Sequence, residues 1–316
     1  MTLSVVLVNY NTRDLTRECL ASLYRETVQT DLEVILVDNG STDGSADMVA
    51  REFPGVVLLR NPCNEGFSRA NNQGIAVARG EYILLLNTDT VVLDRAVEKT
   101  LAFMRAHPEA DVAGCRLLNA DRSTQPSARS FPNTRNLFWL ATLLNAVFPK
   151  SRVFGQFDLT WFGYDRVLEV DTVIGAFLMA KRSAFGLVGG FDEKFYFYGD
   201  EADLLKRMRD AGCRVFFFPG ADVVHYGGGS IRNPLMYYRN LHNSYLRMLR
   251  KHYRGAEFAA ALLFLKAAVA VRVPVYLAAG AFTFDRTYVA KAWYYLLNVF
   301  ETAGLDLERG YRYDIN

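Results

Sequence analysis

Four short apolar runs, each followed by a longer amphipathic stretch, fill the first 107 residues and restrict the fold more than any other feature of the chain. "SVVLVNY" (4–10) precedes Asp14 to Glu26, "EVILVDN" (33–39) precedes Ser41 to Phe53, "VVLLRN" (56–61) precedes Gly66 to Arg79, and "YILLLNTD" (82–89) precedes Asp94 to His107. This alternation predicts βαβ units, hence an α/β fold with a mixed, mostly parallel sheet flanked by helices. The runs are apolar throughout, as strands covered on both faces must be. Asp14 and Ser41, short polar residues at the helix starts, are expected to cap the first two helices.

Three of these strands end in polar tips: Asn9 and Tyr10, Asp38 and Asn39, and Asn87 to Asp89. In open α/β sheets ligands sit beyond the carboxyl ends of the strands, so tips that collect there suggest a binding site. Each alone could be an ordinary strand end or helix cap. The turn after the first strand, "VNYNTRDLT", carries no glycine, which disfavours a dinucleotide fingerprint. "DEAD" at 200–203 has no accompanying phosphate loop and is a coincidence of letters.

The 36 Lys and Arg nearly balance 34 Asp and Glu, so no global field favours nucleic acid as a partner. Cys19, Cys63, Cys115 and Cys213 are scattered without CxxC spacing and read as reduced thiols of a cytosolic protein. "MTLSVVLVNYN" lacks the features of a secretory signal. From 120 to 165 the pattern loosens, predicting a long loop and a mobile helical segment. It resumes at "VDTVIGAFLMAKRSAF", continues through an aromatic turn into a helix closed by Gly212, and reaches the strand "CRVFFFP".

Five blocks, in order, resemble the inverting nucleotide-sugar glycosyltransferases of family 2, particularly the rhamnosyltransferase-like branch. They are "VVLVNYN", "VDNGSTDGS", "NEGFSRANNQGIAVARGEYILLLNTD", "GAFLMAKRSAFGLVGGFDEKFYFYGDEADLLKR" and "HYGGGS", spanning residues 4 to about 232. The resemblance implies a GT-A (Rossmann-like) catalytic domain over 1–232, with a nucleotide-sugar half (1–119) and an acceptor half (120–232). A C-terminal helical region follows at 233–316.

What the resemblance implies for the site is specific. Asp89 closes a DxD-type motif whose first acid is here Asn87, leaving one carboxylate to hold a divalent cation, Mg²⁺ or Mn²⁺, on the donor diphosphate. His225 is implied as a second metal or diphosphate contact, although a lone His is often structural. Gly227 to Gly229, Ser230 and Arg232 add donors for the diphosphate. Asn9 and Tyr10 would flank the base, and Asp38 would accept from its imide N–H, which thymine and uracil share, so dTDP- and UDP-sugars stay equally open. Asn87 and Thr88 join the nucleotide set, as does Asn71, for which a polar helix face is an equal account. The register of "GDEADL" makes Glu201 the catalytic base, with Asp200 as the alternative and Asp203 as a helix-end charge. The expected acceptor is a glycan or lipid-linked saccharide of the bacterial envelope, with dTDP-rhamnose the first choice of donor.

After "HYGGGS" the composition turns to Tyr, Leu, Ala and Arg at helical spacing. Arg247, Arg250, Lys251 and Arg254 precede an Ala-rich apolar stretch, the composition of a helix lying in a membrane surface, at the inner face of the cell membrane. Packing of the helices on protein is the competing account. The uncharged run at 273–284 is too short to span a bilayer, and Lys266 and Arg272 interrupt the stretch before it.

Overall fold

The computed structural model describes residues 1–195, 199–227, 234–302 and 305–306, with side chains from residue 238 in the helix that begins at Pro234. Its strands are β1 (Leu3–Asn9), β2 (Leu32–Asp38), β3 (Val57–Arg60), β4 (Tyr82–Leu86), β5 (Thr90–Val92), β6 (Val112–Leu118), β7 (Thr124–Gln125), β8 (Ala128–Arg129), β9 (Leu168–Glu169), β10 (Thr172–Val173), β11 (Phe177–Lys181) and β12 (Val215–His225). The helices are α1 (Arg13–Glu26), α2 (Ser45–Glu52), α3 (Phe67–Val77), α4 (Ala96–Ala106), α5 (Thr134–Ala141), α6 (Leu144–Val147), α7 (Arg182–Val188), α8 (Asp200–Asp210), α9 (Pro234–His252), α10 (Gly255–Thr283) and α11 (Arg286–Phe300).

The main sheet runs β3-β2-β1-β4-β11-β6-β12-β5. Its first four strands are parallel, as their continuous apolarity predicts; β11 enters antiparallel between β4 and β6, making the sheet mixed. One face buries Leu20, Leu23, Met48, Leu101 and Met104 against the strands, and the other buries Leu204, Leu205, Met208 and Phe217. On that second face α3 lies so close to β1 that a Cβ at Gly74 would stand 2.4 Å from Val6 Cγ1.

Two registers position the site. Leu3 pairs with Leu32, so the equal-length strands β1 and β2 end side by side at Asn9 and Asp38. β12 first runs parallel to β6, then shifts register between Phe218 and Asp222. Pro219 and Gly220 occupy the shift, where a lost ladder donor is tolerated. Arg116 clamps Asp222 with two bonds of 2.6 and 2.9 Å, so that Val223 to His225 emerge antiparallel to β5 with His225 opposite Thr90.

Three expectations change here. Neither Asp14 nor Ser41 caps a helix: the N-cap residues are Thr12 and Gly44, Asp14 pairs with Arg13 and Arg17, and Asp43 accepts the N–H groups of both Arg13 and Ser45, joining the starts of α1 and α2. The 120–165 stretch is built into the core, where the rings of Phe162 and Tyr164 meet Phe217 edge-on at 5.4 and 5.1 Å.

The C-terminal region departs further. α10 is one helix of 29 residues, about 43 Å long, which by length and composition could cross a membrane. The charges that seemed to interrupt it are satisfied on the side facing protein: Lys266 donates to the carbonyls of Asn298 and Glu301, and Arg272 to that of Leu140. The basic cluster is also partly spent internally. Arg247 is buried and bonds the carbonyl of Asp306, and Lys251 pairs with Asp192 and Asp203; Arg250 and Arg254 are exposed. A separate small core of Leu137, Leu246, Leu249, Ala261 and Leu265 joins α5, α9 and α10.

Candidate active site

Asn9 is buried, and each end of its amide is committed twice. Its Nδ2 donates to Asp38 Oδ1 (2.7 Å) and Ser41 Oγ (2.9 Å), while its Oδ1 accepts from the hydroxyls of Thr12 (2.8 Å) and Thr16 (2.7 Å). That is the full capacity of an amide, so Asn9 has no polar atom left for a base; it orients Asp38. Among the described residues Asp38 Oδ2 accepts the Ser41 N–H alone, at 3.1 Å, leaving a carboxylate lone pair for a ligand. Tyr10 is half-buried at the same edge. Asn71 is buried in α3 and donates to the Phe67 carbonyl one turn back.

β4 ends beside these tips. The Asn87 N–H is held by the Ala176 carbonyl at 3.1 Å, Thr88 is buried with its hydroxyl 3.1 Å from that of Thr12, and Asp89 follows, half-buried. The antiparallel β5–β12 pairing brings His225 Nε2 to 3.4 Å from Asp89 Oδ1. His225 is oriented from behind by Gln125, whose Nε2 donates to Asn119 Oδ1 (3.0 Å) and the His225 carbonyl (3.3 Å), so its Oε1 accepts from His225 Nδ1 at 2.7 Å. With Nδ1 bonded to Gln125, Nε2 is the ring nitrogen that faces the carboxylate and the one free to ligate a cation. Such an outer partner selects the ligating tautomer of a metal-binding histidine. Gln125 gave no sequence signal, lying in a stretch that read as loop.

Among the described residues no group of three acids, His or Cys could hold a metal alone. One carboxylate and one imidazole nitrogen therefore fit a cation that takes its other ligands from substrate phosphates and water, the habit of Mg²⁺ and Mn²⁺. Ser230 and Arg232 lie outside the described residues.

The acidic pair opens α8. Glu201 lies against the 174–176 turn: a Cβ at Gly175 would be 3.7 Å from Glu201 Cβ, and the next carbonyl, Ala176, is the one that holds Asn87. The turn thus joins the carboxylates of α8 to the tip of β4. Asp200 is buried, and its Oδ2 has no hydrogen-bond partner among the described residues. Burial raises its carboxyl well above the usual carboxylate range, and the charge and hydrogen bond of Glu201 act in the same direction. Glu201 is the more exposed of the two.

Asp203 is more than a helix-end charge. Its fully buried carboxylate accepts from Arg207 Nε (2.8 Å), Lys251 Nζ (3.0 Å) and His252 Nε2 (2.8 Å). Burial acts to raise its pKa, but the hydrogen bond from His252 and the charges of Arg207 and Lys251 outweigh it and hold the group at about 2.

A mixed, mostly parallel sheet with a carboxylate–imidazole pair at its strand ends and an acidic pair above them has the GT-A organisation of glycosyltransferases. The chain belongs to glycosyltransferase family 2: that family model, "Glycosyl transferase family 2", matches residues 4–160, and a second, "N-terminal domain of galactosyltransferase", matches 157–228. It is rhamnosyltransferase-like, being 29% identical to the N-acetylglucosaminyl-diphospho-decaprenol L-rhamnosyltransferase of Mycobacterium tuberculosis over 85% of this chain and 91% of that one. The O-antigen biosynthesis protein RfbC of Myxococcus xanthus is 28% identical over 72% of this chain and 17% of its own. The fold is shared with the mannosyltransferase PcManGT of Pyrobaculum calidifontis, solved with GDP-Man and Mn²⁺ (TM-score 0.60, 18% identity, 95% of this chain and 86% of that one). It is also shared with Staphylococcus aureus TarS 1–349 (TM-score 0.51, 17% identity, 91% of this chain and 73% of that one).

Proposed function

We propose that the protein transfers a sugar from a nucleotide-diphosphate donor, with dTDP-rhamnose the first choice, to a hydroxyl of a lipid-linked saccharide or glycan in bacterial envelope synthesis, inverting the anomeric carbon. The observation that carries this reading is the Asp89–His225 pair, 3.4 Å apart, with Gln125 bonded to Nδ1 so that Nε2 is the nitrogen facing Asp89. A bound Mg²⁺ or Mn²⁺ would neutralise charge developing on the departing diphosphate. Asp89 and His225 would hold it, and Ser230 and Arg232 are assigned to the diphosphate oxygens.

In this reading Asp38 accepts the imide N–H of the base, with Tyr10 beside the ring and Asn9 fixing Asp38. Asn71, Asn87 and Thr88 line the path from ribose to phosphate. Glu201 takes the acceptor's proton, because it is the more exposed of the two carboxylates and burial favours the protonated form of Asp200. The relative from M. tuberculosis, named for L-rhamnosyl transfer to a diphospho-decaprenol acceptor, supports rhamnose and a lipid-linked acceptor. A UDP-sugar is the second reading, since Asp38 meets uracil and thymine alike.

Titrating dTDP-rhamnose, UDP-glucose and UDP-N-acetylglucosamine by calorimetry with and without Mn²⁺ tests the donor. Metal-dependent binding selective for dTDP-rhamnose is expected; a selective UDP-sugar replaces the first choice, and binding of none removes the donor assignment. The product's anomeric configuration tests inversion.

A lipid-linked acceptor places the enzyme at the inner face of the membrane, and the C-terminal hairpin supports this. Val289, Trp293, Leu296, Leu297 and Phe300 follow helical i, i+4, i+7, i+8, i+11 spacing on the outward side of α11, with Trp293 57% and Phe300 76% exposed. At the turn, Phe282 and Phe284 are 86% and 91% exposed, with Arg286 beside them. Exposed apolar side chains at a helix face and turn suit insertion into a lipid surface. Vesicles containing phosphatidylglycerol are expected to carry the protein upward in a flotation gradient, and F282D/F284D to lose at least about half of that binding; a wild type left at the bottom sinks the assignment.

A further inference from the structure

One lysine of α9 grips both ends of the segment that bears the two candidate bases. Lys251 Nζ lies 2.5 Å from Asp192 Oδ2 and 2.8 Å from Asp203 Oδ1, so a single ammonium spans the start of the segment and the first turn of α8. The same ammonium stands 5.4 Å over the ring of Phe195, and the Arg247 guanidinium lies 5.7 Å from that ring. α9 also touches the residue just before Asp200. Gly199 has a φ of +73°, and a Cβ there would come within 2.9 Å of Ser244 Cβ. The neighbouring His252 and Arg207 complete the hold on Asp203, and Arg207 Nη1 reaches on to the Val188 carbonyl at 2.9 Å.

Taking Asp203 and its cations out of water is costly, and buried ion clusters of this kind commonly add little net stability compared with apolar packing of the same volume. What such a cluster supplies is geometry. Its charges are satisfied in one arrangement, and displacement of α8 by even an ångström would leave a buried carboxylate short of partners.

We propose that α9 is a working part of the catalytic centre, with Lys251 a positioning residue that acts through Asp192 and Asp203 to set where the Asp200 and Glu201 carboxylates stand. The proposal rests on the reading that the base is on α8. Its consequence is that the C-terminal region serves the chemistry as well as any surface attachment: α9 is a wall of the site.

Kinetics of K251M, D192N and the double variant test this. Misplacement of a base by about 1 Å can cost roughly 10²-fold in rate without altering donor contacts. Each single variant is therefore expected to lower kcat by about 10- to 100-fold while the donor KM stays within about twofold. The double variant should be no worse than the poorer single, because the two groups act as one unit. K251M leaves Asp203 short of a cation and could fail to fold; D192N leaves Asp203 paired and then decides alone. Folded variants with kcat within about twofold of wild type overturn the proposal, as does a loss confined to thermal stability. Failure of the base assignment is separately recognisable: E201Q and D200N would then both stay active, whereas a failed brace leaves K251M active beside a dead base variant.

Discussion

Asp89→Ala is expected to abolish transfer, lowering kcat/KM by roughly 10³-fold or more, because the departing diphosphate would lose the charge neutralisation that a bound cation provides there. The size of the effect follows from the economy of the site. Among the described residues Asp89 and His225 stand together, and no group of three acids, His or Cys is there to hold a metal in their place. Removing Asp89 leaves His225 alone, still held by Gln125 but without a charged partner. Calorimetry should show the Mn²⁺-dependent part of donor binding disappear while metal-free nucleotide binding survives, since Asp38 and its Asn9 support are untouched. Near-normal turnover in the variant would remove Asp89 from the metal site. Asn87→Asp should keep activity and tighten Mn²⁺ binding, because it restores the second acid of a DxD motif; a large loss would show that the amide makes a contact of its own.

Glu201→Gln is expected to reduce kcat by a factor of roughly 10² to 10⁴ with donor affinity little changed, as for loss of a general base that acts in the transition state. Asp200→Asn should be far milder, within about tenfold of wild type. An asparagine is the neutral near-isostere of a protonated aspartic acid, and burial together with the Glu201 charge favours the protonated form of Asp200. The reverse pattern, an active Glu201→Gln beside a dead Asp200→Asn that still binds donor, would assign the base to Asp200.

Much of this site was legible in the sequence because it is built on periodicity. Continuous apolar runs predicted parallel strands, and the tips of such strands must gather at one sheet edge; Asn9 and Asp38 end together because two seven-residue strands pair from their first residues. Legibility stopped where partners come from distant chain. His225, the companion of Asp89, was reached only through the family resemblance, since it lies on a strand that re-enters after a register shift; the partner that orients it, Gln125, stands on a two-residue strand too short to leave any periodic signal. The roles of Asn9, Asp14 and Ser41 were misread for a related reason. Short polar residues at strand ends and helix starts have many local partners, and only packing decided that Asn9 is buried under four hydrogen bonds while Asp43 joins two helices.

The C-terminal helices make the division plainest. Composition determined that they would be apolar, helical and basic at their entry, since those are properties of residues taken one at a time. Which charges remain free is a property of pairs. Arg247 and Lys251 look in the sequence like Arg250 and Arg254, yet the first two are consumed by Asp306, Asp192 and Asp203 and the other two face solvent. A charge is cheap on the surface and expensive in the interior unless it is paired. Sequence alone therefore determined the α/β class, the strand tips and the acidic pair on α8. Tertiary structure decided which groups face one another, because the energy of a buried polar group is set by the partner that the fold brings to it.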